Sequence, residues 1–309
     1  MAQGHSPCRP DGPAWRGAAL ILGADLCWGL SSTLAKLLFN RGAVTPASLT
    51  ALRVSISFLL LLAILGPRRG RRLQIRREDL PLLCVMGWVG FAANSYGYYA
   101  TLSLSNVATA ILLIYLAPIF LAFYEGLIGG RWPSPSTLAA IGLAVGGCFI
   151  LVRGYDPGTL RLNLPVLGFG LATAGAFAAY TVTSQRVLRR YDSWTVLLYG
   201  FGIAAVTWWV AFPLWTFVGA GYSAPLWTAI LAIAVGGTLL PYALFVRGLA
   251  YLSPMHATIL STMEPVIAGS VAYLVLGETM ATAQYAGALL VLAAVVLVQL
   301  RPAAPAEAR

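Results

Sequence analysis

The chain has 309 residues, of which 59% are hydrophobic and only 10% charged. A soluble domain carries roughly 25% charged residues, so a soluble globular fold is excluded, and so is disorder, which requires low hydrophobicity. The formal charge of +10 comes from 20 basic against 10 acidic residues; in a chain this apolar it reads as cytoplasmic loop charge rather than a nucleic-acid surface.

A membrane helix needs about 20 mostly apolar residues at 1.5 Å each. Ten stretches meet that requirement, near 16–38, 47–66, 80–101, 106–129, 135–153, 165–185, 195–217, 227–250, 256–276 and 282–300. The breaks between them are chemically sensible. Gly66-Pro67 through Asp79 is rich in arginine, Arg131-Trp132-Pro133-Ser134-Pro135 and Ser253-Pro254 are turns, and Tyr155-Asp156-Pro157-Gly158 is a loop signal. Residues 1–15 lack the apolar core of a cleavable signal. The four cysteines, Cys8, Cys27, Cys84 and Cys148, have neither disulfide-framework nor metal spacing.

Arginine placement orients the chain. With both termini inside, the cytoplasmic set is Arg9, Arg16, the run Arg68 to Arg77, Arg131, Arg186, Arg189, Arg190, Arg301 and Arg309. The outer loops hold Arg41, Arg153 and Arg161; Arg53 falls near the outer start of the second span. This bias predicts an even number of spans, N-in and C-in, in a cytoplasmic membrane. The Arg68–Arg77 run has a second reading, as a site for anionic lipid heads.

The sequence also repeats itself. Ser105-Asn106-Val107-Ala108-Thr109-Ala110-Ile111-Leu112, then Ala117-Pro118, is echoed by Ser253-Pro254-Met255-His256-Ala257-Thr258-Ile259-Leu260, then Glu264-Pro265. Each segment opens the fourth span of a five-span block, and each block ends in a Gly- and Ala-rich span. Five is odd, so the second block enters the membrane inverted, an arrangement typical of secondary transporters with a midplane site between repeats. The expected fold is therefore an all-α integral membrane protein of about ten transmembrane helices in two inverted five-helix repeats. Residues 1–15 and 302–309 are cytoplasmic tails, 16–153 the first repeat and 165–301 the second.

At this point the sequence resembles the drug/metabolite transporter superfamily, in its ten-span EamA-like branch, over about residues 16–300. Leu26-Cys27-Trp28-Gly29-Leu30-Ser31-Ser32-Thr33-Leu34-Ala35-Lys36 is similar to that family's opening helix. Ala51-Leu52-Arg53 is similar to its second span, and Glu264-Pro265 with Leu276-Gly277-Glu278 to its ninth. The first repeat departs from the pattern, with Ala117-Pro118 and Gly130-Arg131 in place of the glutamates. The resemblance implies transport of a small solute such as an amino acid, another metabolite, a quaternary amine or a sugar.

A charge at the bilayer midplane costs a few kcal/mol, so charged residues within spans are the first candidates for mechanism. Asp25, Ser32 and Lys36 fall on one stripe of the first span, flanked by Trp28 and Gly29. That stripe either lines the translocation cavity or, at Asp25, satisfies polar groups of a neighbouring helix; Lys36 is close enough to the outer end to snorkel. Pro265 breaks the ninth span beside Glu264. Glu264 is then a proton or cation site, or it pairs with an arginine such as Arg247, or it lies at the cytoplasmic mouth. Glu125 is read as snorkelled. Polar and aromatic stripes add Asn94, Tyr98 and Thr101, then Tyr115, then Thr173, Phe177, Tyr180 and Ser184, then Thr238 and Tyr242 beside Pro241. Such faces either bind a small amphipathic solute, including a cation over ring faces, or simply pack.

The substrate-binding candidates are Trp28, Ser32, Asn94, Tyr98, Tyr115, Tyr180 and Tyr242, and the coupling candidates Asp25 and Glu264. Trp208, Trp209 and Trp215 read as interface belt residues. Gly142, Gly146, Gly147, Gly170 and Gly175 read as sites of close helix approach.

The expected function is a secondary active transporter, an exporter or exchanger of a small organic metabolite working by alternating access. Its partners are that solute, the lipid bilayer and, if coupled, protons; it acts as a monomer or homodimer. A flippase of lipid or lipid-linked substrates on the same fold is the alternative. A membrane enzyme would need a convergent acid/base or metal set, and a channel a filter or charged ring. With two histidines, His5 and His256, and no phosphate loop, neither catalysis nor ATP use is expected, and no cofactor, metal or nucleic acid is called for.

Overall fold

The computed structural model describes residues 13–69, 74–213, 215–218, 220–276 and 281–300, with side chains 68, 69, 218 and 271–276 left aside. His5, Cys8, Arg9, Arg71, Arg72, Gly277, Glu278, Arg301 and Arg309 lie outside the described residues. Every regular element described is helical. In chain order they are α1 (Ala14–Asn40), α2 (Pro46–Arg69), α3 (80–104), α4 (Val107–Leu127), α5 (Pro135–Leu151), α6 (Leu164–Leu188), α7 (Ser193–Ala211), α8 (Ala224–Leu249), α9 (254–276) and α10 (Thr282–Gln299). Seven of them, all but α3, α5 and α9, are uninterrupted or near-continuous apolar helices long enough to cross a membrane.

Helix starts follow from short polar residues that accept a backbone N–H in the first turn. Asn106 caps α4 through Thr109 N at 2.8 Å, Asn163 caps α6 through Val166 N at 2.9 Å, and Asp192 caps α7 through Thr195 N at 2.8 Å. Ser134 and Ser253 do the same for α5 and α9, each followed by a proline at the position where the N–H is dispensable. The seventh span is shorter than its apolar run suggests. It stops at Ala211 because Pro213 forbids helical geometry in the residue before it, and a separate turn follows at Trp215–Val218.

Four helices are interrupted, and proline explains three of the interruptions. Pro118, Pro241 and Pro265 donate no hydrogen bond to the carbonyl four residues back. In α4 the break falls at Tyr115-Leu116, between Val107–Ile114 and Ala117–Leu127. α9 contains a tight turn, Ser261–Met263, just ahead of Glu264-Pro265. α8 carries a π segment, Val235–Leu239. There the Thr238 hydroxyl donates to the Ile233 carbonyl at 2.9 Å, and Ser57 of α2 donates to the Ala234 carbonyl at 3.0 Å, satisfying acceptors that the slipped ladder leaves over. α3 has a second π segment, Met86–Ala93.

The packing pattern is paired. α1 lies against α8 as α6 lies against α3; α2 lies against α8 as α7 lies against α3; α1 lies against α9 as α6 lies against α4. α2 packs on α7, and α5 packs closely on α10. At that last contact a Cβ on Gly147 would sit 2.8 Å from the Gly287 carbonyl oxygen, so the small residues set the separation. Gly170 is likewise pressed against Leu113. Gly142 and Gly146, in contrast, face open space with nothing within 4 Å, so close approach is not their role.

The helix ends are tied by side chains. Asp79, buried just before α3, accepts from Arg190 and, at 2.5 Å, from the Tyr191 hydroxyl, which itself accepts from Arg76 N at 3.0 Å. Burial pushes the Tyr191 phenol up from its ordinary value, so it stays a donor. This joins the 2–3 connection to the 6–7 connection. Trp209 is held inward by a 2.7 Å bond from its indole N–H to Ser55, and Trp208 packs on Tyr96, whereas Trp215 is 75% exposed. Of the three tryptophans only Trp215 has the open position of a belt residue.

Candidate functional site

The interruptions in α4, α8 and α9 converge. Where they meet α1, α2 and α3, a cavity of about 50 Å³ is lined from both halves of the chain. That is room for a few water molecules. The first half contributes Trp28, Ser31, Ser32, Arg53, Asn94, Ser95, Tyr98, Tyr99, Ile114 and Tyr115; the second contributes Phe177, Gly237, Tyr242 and Glu264.

Each lining group is placed by its helix. Ser32, one turn beyond Trp28, donates to the Trp28 carbonyl at 2.8 Å and lies 2.8 Å from the Tyr98 hydroxyl. Asn94 and Ser95 follow directly on the π segment of α3, and each reaches the Tyr242 hydroxyl at 3.4 Å. Tyr115 stands at the break in α4 and donates to Glu264 Oε2 at 2.5 Å. Glu264 Oε1 and Asn94 Oδ1 are buried with no hydrogen-bond partner among the described residues. The floor is aromatic: Trp28 meets Tyr242 edge-on at 5.6 Å and Phe245 at 5.5 Å.

Of the residues picked from sequence, Trp28, Ser32, Asn94, Tyr98, Tyr115, Tyr242 and Glu264 come together on this cavity. Tyr180 does not line it. It lies one layer behind, fully buried, with rings of Phe91, Tyr242 and Phe245 at 5.1, 5.5 and 5.7 Å. Asp25 is fully buried on α1, with Glu264 within electrostatic reach and Ser261 close by.

Lys36 does not extend the cavity stripe. Its ammonium turns onto the end of α3 and donates to the carbonyls of Leu102 at 2.9 Å and Ser105 at 2.6 Å, which the last helical turn leaves free. Arg247 lies over the Trp194 ring at 4.7 Å and forms no ion pair with Glu264. Glu125 is half-buried and outside the cavity.

Arg53 is the lining residue that the sequence reading did not choose for the site. It is buried, its guanidinium 4.6 Å from the centre of the Tyr99 ring, with one long hydrogen bond to Ser95 at 3.4 Å. The signal was present: Thr50, Arg53 and Ser57 recur at helical spacing within an apolar span, and all three are buried.

The model of the EamA-like transporter family matches residues 15–153 and again residues 164–300. The chain belongs to the EamA-like transporter family. Its relatives are transporters of the drug/metabolite type, and this member is a multi-pass membrane protein. It is 27% identical to the uncharacterized inner membrane transporter YicL of Salmonella typhimurium, over 94% of this chain and 97% of that one. It is 30% identical to the threonine/homoserine exporter RhtA of the same species, over 87% of this chain and 86% of that one. A crystal structure of a protein 20% identical superposes with a TM-score of 0.70, over 92% of this chain and 96% of that chain, and shares the fold. Among the described residues no group of three or more His, Cys, Asp or Glu is arranged to hold a metal ion.

Proposed function

We propose that this EamA-like protein is a secondary transporter that exports or exchanges a small organic metabolite, of the amino acid or amine class, across the cytoplasmic membrane by alternating access. The observation that carries the proposal is the cavity at the junction of the two halves, lined by polar and aromatic side chains and bounded by broken helices from each half. Helix breaks at membrane depth, tolerated only where backbone is buried or lines a cavity, are a mark of such binding sites.

We further propose ten spans, both termini inside, and two inverted five-helix repeats. The helix pairing supports this, because exchanging each helix with the one five places on maps the α1–α8, α2–α8 and α1–α9 packings onto α6–α3, α7–α3 and α6–α4, and maps α2–α7 and α5–α10 onto themselves. The double family match and the arginine bias agree with it. Export and the amino acid class draw support from the RhtA relatives, which are named as threonine/homoserine exporters. Asp25 and Glu264, buried carboxyl groups on α1 and α9 with no cation paired to either among the described residues, take the coupling role and exchange protons with the side to which the cavity opens.

The test is reconstitution of the purified chain in liposomes. Flux of the transported solute saturates with concentration and is accelerated by the same solute on the far side. Non-saturating flux at channel rates, or a covalently altered product, overturns the proposal.

A further inference from the structure

The cavity contains one basic and one acidic side chain, and they do not pair with each other. Arg53 has no carboxylate within ion-pair distance among the described residues; a guanidinium has five N–H donors, and the one hydrogen bond it makes is the long one to Ser95. Its Nε is buried without a hydrogen-bond partner among the described residues, the guanidinium resting on the Tyr99 ring. Glu264 uses Oε2 on Tyr115, and its free Oε1 faces α1 at Gly29, where a Cβ would lie 3.9 Å away. Tyr98, bonded to Ser32, is within electrostatic reach of both charges. A buried ion left unpaired is costly, and a ligand that supplies its opposite charge removes that cost.

We infer that the site is built for a zwitterion, an α-amino acid in its ordinary form, with the carboxylate held by Arg53 and Ser95 and the ammonium held by Glu264 among the rings of Trp28, Tyr98 and Tyr115. This rests on the transporter reading above and narrows its substrate class. The guanidinium fork matches a carboxylate in shape as well as charge, and ring faces favour an ammonium. Ile114 and Phe177 supply the apolar wall for a side chain. An amine without a carboxylate leaves Arg53 bare, an acid without an amine leaves Glu264 bare, and a sugar leaves both. The cavity has to widen beyond its present about 50 Å³ to admit the molecule.

Matched probes test this on the full-length protein. One series is L-threonine, 1-aminopropan-2-ol and 3-hydroxybutanoate; the other is L-phenylalanine, 2-phenylethylamine and 3-phenylpropanoate. The twenty standard amino acids are added as competitors in liposome counterflow, with amines, carboxylates and sugars as comparison sets. In at least one series the zwitterion binds about 30-fold or more tightly than its amine or its acid, read from ligand-dependent thermal stabilisation. Arg53→Gln erases the preference over the amine but keeps that over the acid; Glu264→Gln does the reverse; Arg53→Lys retains a weakened form of the wild-type order. An amine, acid or sugar that exchanges while no amino acid does overturns the zwitterion assignment and leaves the transporter standing. Equal loss of all three probes in both variants also overturns it, since that is what a structural role gives. If no solute of any class exchanges, the transporter reading fails and this one falls with it.

Discussion

Tyr115 donates its phenolic hydrogen to Glu264 Oε2 at 2.5 Å, across 149 residues of chain. Each residue stands at a proline-made interruption, Tyr115 ahead of Pro118 in α4 and Glu264 ahead of Pro265 in α9. The bond therefore joins corresponding breaks in the two halves, at the wall of the cavity.

Tyr115→Phe removes the hydrogen bond of a buried carboxylate whose other oxygen is already unpartnered. The expected loss is about 1–3 kcal/mol, seen as a lower apparent melting temperature of the detergent-solubilised protein. Glu264→Gln costs less, because its amide oxygen still accepts from Tyr115. A Tyr115→Phe protein that melts with wild type would show that the contact is not formed in the membrane protein.

Asp25→Asn tests coupling. Asp25 is outside the cavity lining, so solute exchange in liposomes without a pH gradient should proceed as in wild type, while movement driven by an imposed pH gradient should be lost. Retention of gradient-driven transport assigns coupling elsewhere.

Gly237 and Ser31 set the approach of α8 to α1 beside the site. A Cβ on Gly237 would lie 1.9 Å from Ser31 Oγ and 2.4 Å from Ser31 Cβ. Gly237→Ala should destabilise by about 1–3 kcal/mol through overpacking. Adding Ser31→Gly should recover most of that loss. Additive losses in the double variant would place the strain at another contact.

Lys36→Met should separate stability from binding. The ammonium satisfies the carbonyls of Leu102 in α3 and of Ser105 just beyond its end, so its removal costs about 1.5–3 kcal/mol of stability, as expected for hydrogen bonds from a charged donor. Solute affinity should not change, because the side chain does not line the cavity. A tenfold loss of affinity without loss of stability would return Lys36 to the translocation path.

The apolar runs, the proline positions and the arginine bias were readable along the chain because each is a local property. Bilayer thickness fixes the length of a span, and a missing N–H frees a carbonyl one turn earlier when the proline stands inside a helix. The sequence thus determined by itself that this is a helical membrane protein of the EamA-like type, that Glu264 sits beside broken helix and that Tyr242 stands next to a proline. It could not determine which polar side chains share a space. That depends on the rotation of each helix about its axis and on the identity of its neighbour, both set by contacts between residues far apart in the chain. Only the tertiary structure brought Tyr115 to Glu264, turned Lys36 away onto α3, placed Tyr180 one layer behind Tyr242, and showed Arg53 buried against Tyr99 with no counter-charge among the described residues.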